Sequence, residues 1–118
     1  MPVFGAHERI RSEVNGWKGV MSRPHRFGGL EFALGSREIG HVHGDSLVDV
    51  PLPKRVRDEL VESAQAESHH VLPESGWVSV RLRDPSDVDR AIWILRRSYD
   101  LARAQRERQE AHAASIES

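Results

Sequence analysis

Hydrophobic positions along the chain switch between two periods, and the switches outline its elements. In residues 6–17, AHERIRSEVNGW, Ile10, Val14 and Trp17 recur at helical spacing. That spacing predicts a short amphipathic helix ending near Gly16 and Gly19. Residues 22–29, SRPHRFGG, read as a loop broken by Pro24 and the Gly28-Gly29 pair. The period then falls to two. In LEFAL, Leu30, Phe32 and Leu34 alternate with Glu31 and Ala33, and Gly35-Ser36 supplies a two-residue turn into REIGHVH. This turn sets Leu34 opposite Arg37, Phe32 opposite Ile39 and Leu30 opposite His41. A second turn at Gly44-Asp45 sets His41 opposite Val48 and Ile39 opposite Val50. Side chains directly opposite share a face, so His41 and His43 are expected to turn inward with the apolar set. A one-residue slip in either turn would reverse that assignment.

The helical period returns in PLPKRVRDELVESAQAE, where Pro53 suits a first turn and Val56, Leu60 and Val61 form an apolar stripe. SHHVL and GWVSVRLR then flank PESG as a second hairpin. Pairing Leu72 with Trp77 puts His69 opposite Val80 and His70 opposite Ser79, without choosing which histidine faces a site. The strongest helix is DPSDVDRAIWILRRSYDLARAQRERQE, capped by Asp84 or Ser86, with Pro85 at its start. Val88, Ile92, Leu95 and Tyr99 form its buried side, and Trp93 is expected in the core. The order is helix, three strands, helix, hairpin, helix. It predicts an α+β fold: an antiparallel sheet of two hairpin units with helices packed on one face. A single domain is expected over residues 1–118, with its core at about 6–103 and a charged helical or frayed tail at 104–118.

Composition narrows the function classes. The chain has 118 residues, 38% hydrophobic and 30% charged, with net charge −1. That balance disfavours a nucleic-acid partner, which calls for clustered basic charge. No apolar run is long enough to cross a bilayer, and MPVFGAHERI lacks a hydrophobic signal region, so a cytoplasmic location without membrane association is expected. With no cysteine, disulfides and thiolate chemistry are excluded, and any metal must use His, Asp and Glu.

The candidate chemistry starts at REIGHVHGD, residues 37–45. Two imidazoles at i and i+2 on a strand point the same way and can share a divalent metal, which makes His41 and His43 candidate ligands. They are equally candidate catalytic groups, together with His70 and Glu38. The bland alternative is a pair of structural histidines bonded to Asp45, Asp49 or Glu38, since a buried imidazole needs a partner. His69 or His70 can converge on the pair from the second hairpin. Glu38 or Asp45 would orient an imidazole, and Trp77 would wall a pocket. His25 and Arg26 can hold an anionic group.

The stretch PHRFGGLEFALGSREIGHVHGD, followed by HHVLPESGWVSVRLRDPSDVDRAIWILRRSY, resembles the bacterial branch of the luciferase-domain family, relatives of the fungal bioluminescence luciferases. The resemblance spans roughly residues 6–103. Arg37, Glu38, Ile39, His41 and His43 match the family's histidine-bearing strand, and the His69, His70 and Trp77 region matches its later segment. It implies oxygenation of a small phenolic or pyrone-type molecule by O₂, either without a cofactor or with a divalent metal. His41, His43, His70 and Glu38 would act in catalysis, and Trp77, His69, Arg37, Asp45 and His25 in substrate binding. The chain is much shorter than the fungal enzymes, lacks their membrane segment and has a compact Gly35-Ser36 turn. Light emission is therefore outside the expectation. The order of elements also resembles MmcQ/YjbR-like proteins. That likeness implies a non-catalytic module for a nucleic acid or protein, drawing on Arg96, Arg97 and Arg103. Either reading allows a monomer or a homodimer.

Overall fold

The computed structural model describes residues 2–25, 28–69 and 71–117. Within them the chain runs α1 (Ala6–Asn15), β1 (Val20–Pro24), β2 (Leu30–Leu34), β3 (Arg37–His43), β4 (Leu47–Pro51), α2 (Lys54–Glu62), β5 (Glu67–Ser68), β6 (Trp77–Arg81) and α3 (Pro85–Glu117). All six strands join one antiparallel sheet in the order β1-β2-β3-β4-β6-β5. The fold is α+β, and β6 joins the two expected hairpin units by pairing with both β4 and β5. Strand β1 occupies part of the segment expected to be a loop. Its Pro24 is tolerated because β1 is an edge strand.

One face of the sheet carries the apolar core. Phe32, Val42, Val48, Val50, Val78 and Val80 are buried there, packed in one cluster with Ile10 and Val14 of α1, Val56 and Leu60 of α2, and Val88, Leu95 and Tyr99 of α3. Polar contacts tie α3 to α2 and to the α1–β1 connection. Arg97 of α3 reaches Glu59 of α2, and the Tyr99 hydroxyl donates to the Lys18 carbonyl at 2.7 Å. Asp84 and Asp87 cap the α3 start reciprocally: Asp84 accepts from the Ser86 N–H, and Asp87 accepts from the N–H groups of Arg83 and Asp84. Trp93 departs from expectation. It is 49% exposed, because Ala91, Ile94 and Leu95 take the inward positions around it. The charged tail stays helical to Glu117.

The decisive difference is in β3. Leu34 pairs with Arg37 and Ala33 with Glu38 as expected, but Phe32 then pairs with Gly40, Glu31 with His41 and Leu30 with Val42. Ile39 and Gly40 together oppose Phe32, a β-bulge that inserts one residue. Side-chain parity reverses beyond it. His41 pairs with Asp49 rather than Val48, and His43 with Leu47. Both histidines therefore lie on the face opposite the helices, correcting the expectation that they share the face of Phe32 and Ile39. The bulge has room only for glycine. A Cβ at residue 40 (φ 154°) would fall 2.3 Å from Leu95 Cδ2 and 3.0 Å from the Asp49 carbonyl oxygen.

The second hairpin is also offset. β5 ends at Ser68, which pairs with Val78, so the expected Leu72–Trp77 pairing does not form. His69 lies just past the strand instead of opposite Val80.

Candidate functional site

Because parity alternates, each strand that feeds Val48, Val50, Val78 and Val80 to the core sends Asp49, Trp77 and Ser79 to the other face. The bulge adds His41 and His43 to that set. It also explains why Glu38 and His41, three apart on one strand, share a face: without the extra residue they would point oppositely. The helix-free face thus gathers Glu38, His41, His43, Asp49, Trp77 and Ser79.

Asp49 is the centre of this group. It is 1% exposed, and its Oδ1 accepts a hydrogen bond from Ser79 Oγ at 2.6 Å. Its Oδ2 faces three imidazoles: His41 Nε2 at 3.1 Å, His43 Nε2 at 3.2 Å and His69 Nε2 at 3.6 Å. The other ring nitrogen of His41 lies 2.6 Å from Glu38 Oε2. His69 is held differently. Its Nδ1 accepts backbone N–H groups of Val71 and Leu72 at 3.2 and 3.1 Å, which fixes the neutral ring as the Nε2–H tautomer.

Aromatic groups enclose the cluster. The His25 ring stacks on His41 with centroids 4.2 Å apart, and Trp77 lies 5.4 Å from His41 and 6.0 Å from His69. His25 reaches this position because its main chain bonds back to Gly28 and Gly29, and Gly29 presses against β3. A Cβ on Gly29 (φ 82°) would lie 2.4 Å from the Val42 carbonyl oxygen.

The electrostatics follow from this packing. Burial opposes a charge on His41, but hydrogen bonds to Asp49 and Glu38 outweigh it and raise its pKa to about 9. Burial and the charge of neighbouring His41 lower the pKa of His43. Asp49 is buried, yet the bonds from His41 and Ser79 bring it down to about 2. A stability prediction follows for protein stripped of divalent ions. The folded His41 value lies above that of an unfolded imidazole, about 6.5. Its contribution is therefore complete below about pH 6.5 and is lost as pH rises through about 9. The contribution of Asp49 is present above its unfolded value of about 3.9 and is lost as pH falls through about 2. The melting temperature should fall between about pH 7 and 9.5 and the fall should shrink in His41→Gln. An unchanged slope in that variant would assign the loss to another group.

The sequence-predicted residues separate cleanly. His41, His43, Glu38, His69, Trp77 and His25 come together. Arg37 does not; it bonds Gln105 of α3. Asp45 does not either; its Oδ1 accepts the His7 N–H at 2.8 Å and so ties down the start of α1. His70 and Arg26 lie outside the described residues. Asp49 was foreseen only as a structural partner, and Ser79 not at all. The signal for both was their polar character between valines in VDV and VSV, which marks the face away from the core. Among the described residues, two sets of groups lie close enough to hold a metal ion, His41–His43–Asp49 and His25–Glu38–His41. A hollow of about 630 Å³ lies elsewhere, between α1 and α3. Its Arg9 and Asp89 neutralise each other on the surface, so chemistry rather than volume selects the histidine face.

The fold and this face define an α+β protein with a histidine–carboxylate cluster on the sheet face away from the helices. The chain belongs to the Luciferase domain family, whose match covers residues 36–98, just over half of its length. That segment contains Glu38, His41, His43, Asp49, His69, Trp77 and Ser79, the whole cluster apart from His25. No curated protein and no solved structure matched the chain. No helix among the described residues is long and apolar enough to cross a membrane.

Proposed function

We propose that the chain is an oxygen-using oxidoreductase acting on a small aromatic or enolic molecule with an acidic O–H group. The observation that carries this reading is the convergence of His41, His43 and His69 on Asp49 within the segment matched by the Luciferase domain family. Trp77 and the stacked His25 give a flat ligand aromatic surfaces to lie against. The substrate O–H, directed at the cluster, loses its proton there and leaves an electron-rich carbon. That carbon and O₂ form one C–O bond, and the released proton returns to the peroxide oxygen. Both electrons come from the substrate, so no external reductant is required.

The alternative of a nucleic-acid module draws no support from its expected surface. Arg96, Arg97 and Arg103 pair with Asp100, Glu59 and Glu107.

The test is O₂ uptake by the purified chain across a panel of enolic and phenolic compounds. Uptake should require both protein and compound. His41→Ala and His43→Ala should each lower kcat/KM about 10²–10⁴-fold, the scale on which loss of a group at the reacting centre is felt. Trp77→Ala should act mainly on KM. Arg37→Ala, remote from the cluster, should change turnover little. Uptake equal in His41→Ala, His43→Ala and the parent chain would remove the cluster from the reaction.

A further inference from the structure

We propose that His41 Nε2, His43 Nε2 and one carboxylate oxygen of Asp49 bind a single divalent first-row transition-metal ion, with Glu38 and Ser79 orienting the ligands and His69 beside the ion but not on it. The assignment of iron to this site rests on the oxygen-using reading; the existence of a metal site does not.

Three observations carry it. The first is spacing. Two ligands bound at about 2.0–2.2 Å to one ion, at angles between octahedral and tetrahedral, stand about 2.8–3.6 Å apart. His41 Nε2 and His43 Nε2 are 3.1 and 3.2 Å from Asp49 Oδ2, and the three donor atoms lie within 4.8 Å of one another. The second is a count of lone pairs. A carboxylate oxygen has two, which His41 Nε2 and His43 Nε2 take up at 3.1 and 3.2 Å, while His69 Nε2 stands just beyond bonding reach at 3.6 Å with none left for it. An ion between His41, His43 and Asp49 resolves this excess, because the two nitrogens then point lone pairs at the metal instead of protons at one oxygen. The third is the outer layer. Metal-binding imidazoles usually donate their other N–H to a carboxylate, and bound carboxylates are themselves hydrogen-bonded. Glu38 stands 2.6 Å from His41 Nδ1, and Ser79 donates to the outer oxygen of Asp49 at 2.6 Å.

The same reasoning excludes the neighbours. His69 spends its Nδ1 lone pair on two backbone N–H groups, so its neutral ring carries a proton on Nε2 and has no lone pair left for a metal. It is placed to donate to Asp49 or to a molecule bound at the ion. The set His25–Glu38–His41 would use His41 Nδ1 and take Glu38 away from its orienting position, and it leaves Asp49 with its excess of imidazoles. Two histidines and one carboxylate on one side of an ion leave positions open to other ligands. That arrangement suits Fe(II), with Co(II), Mn(II) and Zn(II) as competitors for the same nitrogen and oxygen donors.

The experiment uses the full chain, stripped by chelator and titrated with Co(II), followed by calorimetry and visible absorption. One ion per chain should bind, with absorption bands of mixed nitrogen and oxygen ligation. Asp49→Asn and His43→Ala should each weaken binding more than about 100-fold, and Glu38→Gln by about 10–100-fold as expected of an outer-layer partner. His69→Ala and His25→Ala should leave affinity within a few-fold. Should Asp49→Asn fold poorly, half-buried His43 provides the folded variant. No binding by the parent chain, or loss caused by His69→Ala or His25→Ala instead of His43→Ala, overturns the proposal. Stripped protein that still consumes O₂ at the full rate overturns the link to catalysis alone. Tight Co(II) binding without O₂ uptake on any compound overturns the oxidoreductase reading and leaves the metal site standing.

Discussion

Asp49→Ala is expected to lose about 3–5 kcal/mol of folding stability, the usual cost of removing one partner from a buried ion pair. The loss should be large because Asp49 is 1% exposed and serves four side chains at once, namely Ser79 through Oδ1 and three imidazoles through Oδ2. Alanine leaves the Ser79 hydroxyl and the inner nitrogens of His41 and His43 facing an apolar gap, where each unmet donor costs roughly 1–3 kcal/mol. Total stability for a domain of this size is on the order of 5–15 kcal/mol, so a substantial fraction is at stake. Equilibrium urea unfolding of metal-free protein measures it directly. Asp49→Asn keeps the shape and one acceptor oxygen, so it should lose distinctly less. Equal losses for Ala and Asn would mean that charge alone, not the hydrogen-bonded hub, stabilises this face. A stable Asp49→Ala variant would remove the hub from the account altogether.

That hub shows how much of the molecule the sequence discloses. Leu30, Phe32 and Leu34 declare the core face of β2 by simple alternation, and Ile10, Val14, Leu60 and Leu95 declare their helices by period. All of these are buried except Leu30, which is partly buried against the same cluster. The gathering of His41, His43, Glu38 and Trp77 was readable from type and spacing. The face they gather on was not, because strict alternation has no place for an inserted residue. Gly40, in the middle of an otherwise β-like run, was the available sign, since an isolated glycine in a strand often marks a bulge. His69 was misplaced for a different reason: a four-residue loop sets register weakly, and the two-residue strand β5 has too few pairs to correct it. Strand β1 was missed because VMSRP has little apolar alternation and ends in proline; at the sheet edge, neighbouring β2 supplies the pairing that propensity does not.

Gly40→Ala should be a strongly damaging small-to-large change at the bulge. The added methyl would sit 2.3 Å from Leu95 Cδ2 and 3.0 Å from the Asp49 carbonyl oxygen, at a φ of 154° that side chains rarely adopt. Overpacking a tight core costs about 1–3 kcal/mol and a strained backbone angle a similar amount, so a loss of about 2–6 kcal/mol is expected. A double-mutant cycle with Leu95→Ala separates the two causes. If the clash with Leu95 dominates, the pair should be more stable than the sum of the single losses predicts, by about 1–2 kcal/mol. Simple additivity would put the whole cost on the backbone. Because the bulge aligns His41 with Glu38, the variant should also bind divalent ions more weakly at temperatures where it remains folded.

The inserted residue works as a parity bit for the strand. H-x-H by itself says only that two imidazoles agree with each other; it does not say which side of the sheet they agree on. The discriminating pattern is the longer Glu38-Ile39-Gly40-His41-Val42-His43, in which glycine immediately before the first histidine reports the flip. A strand with the same histidines but without that extra position would send both rings into the helices and deliver valine or isoleucine to Asp49. In comparisons across the family, a one-residue gap at this point is therefore a change of chemistry rather than a matter of length.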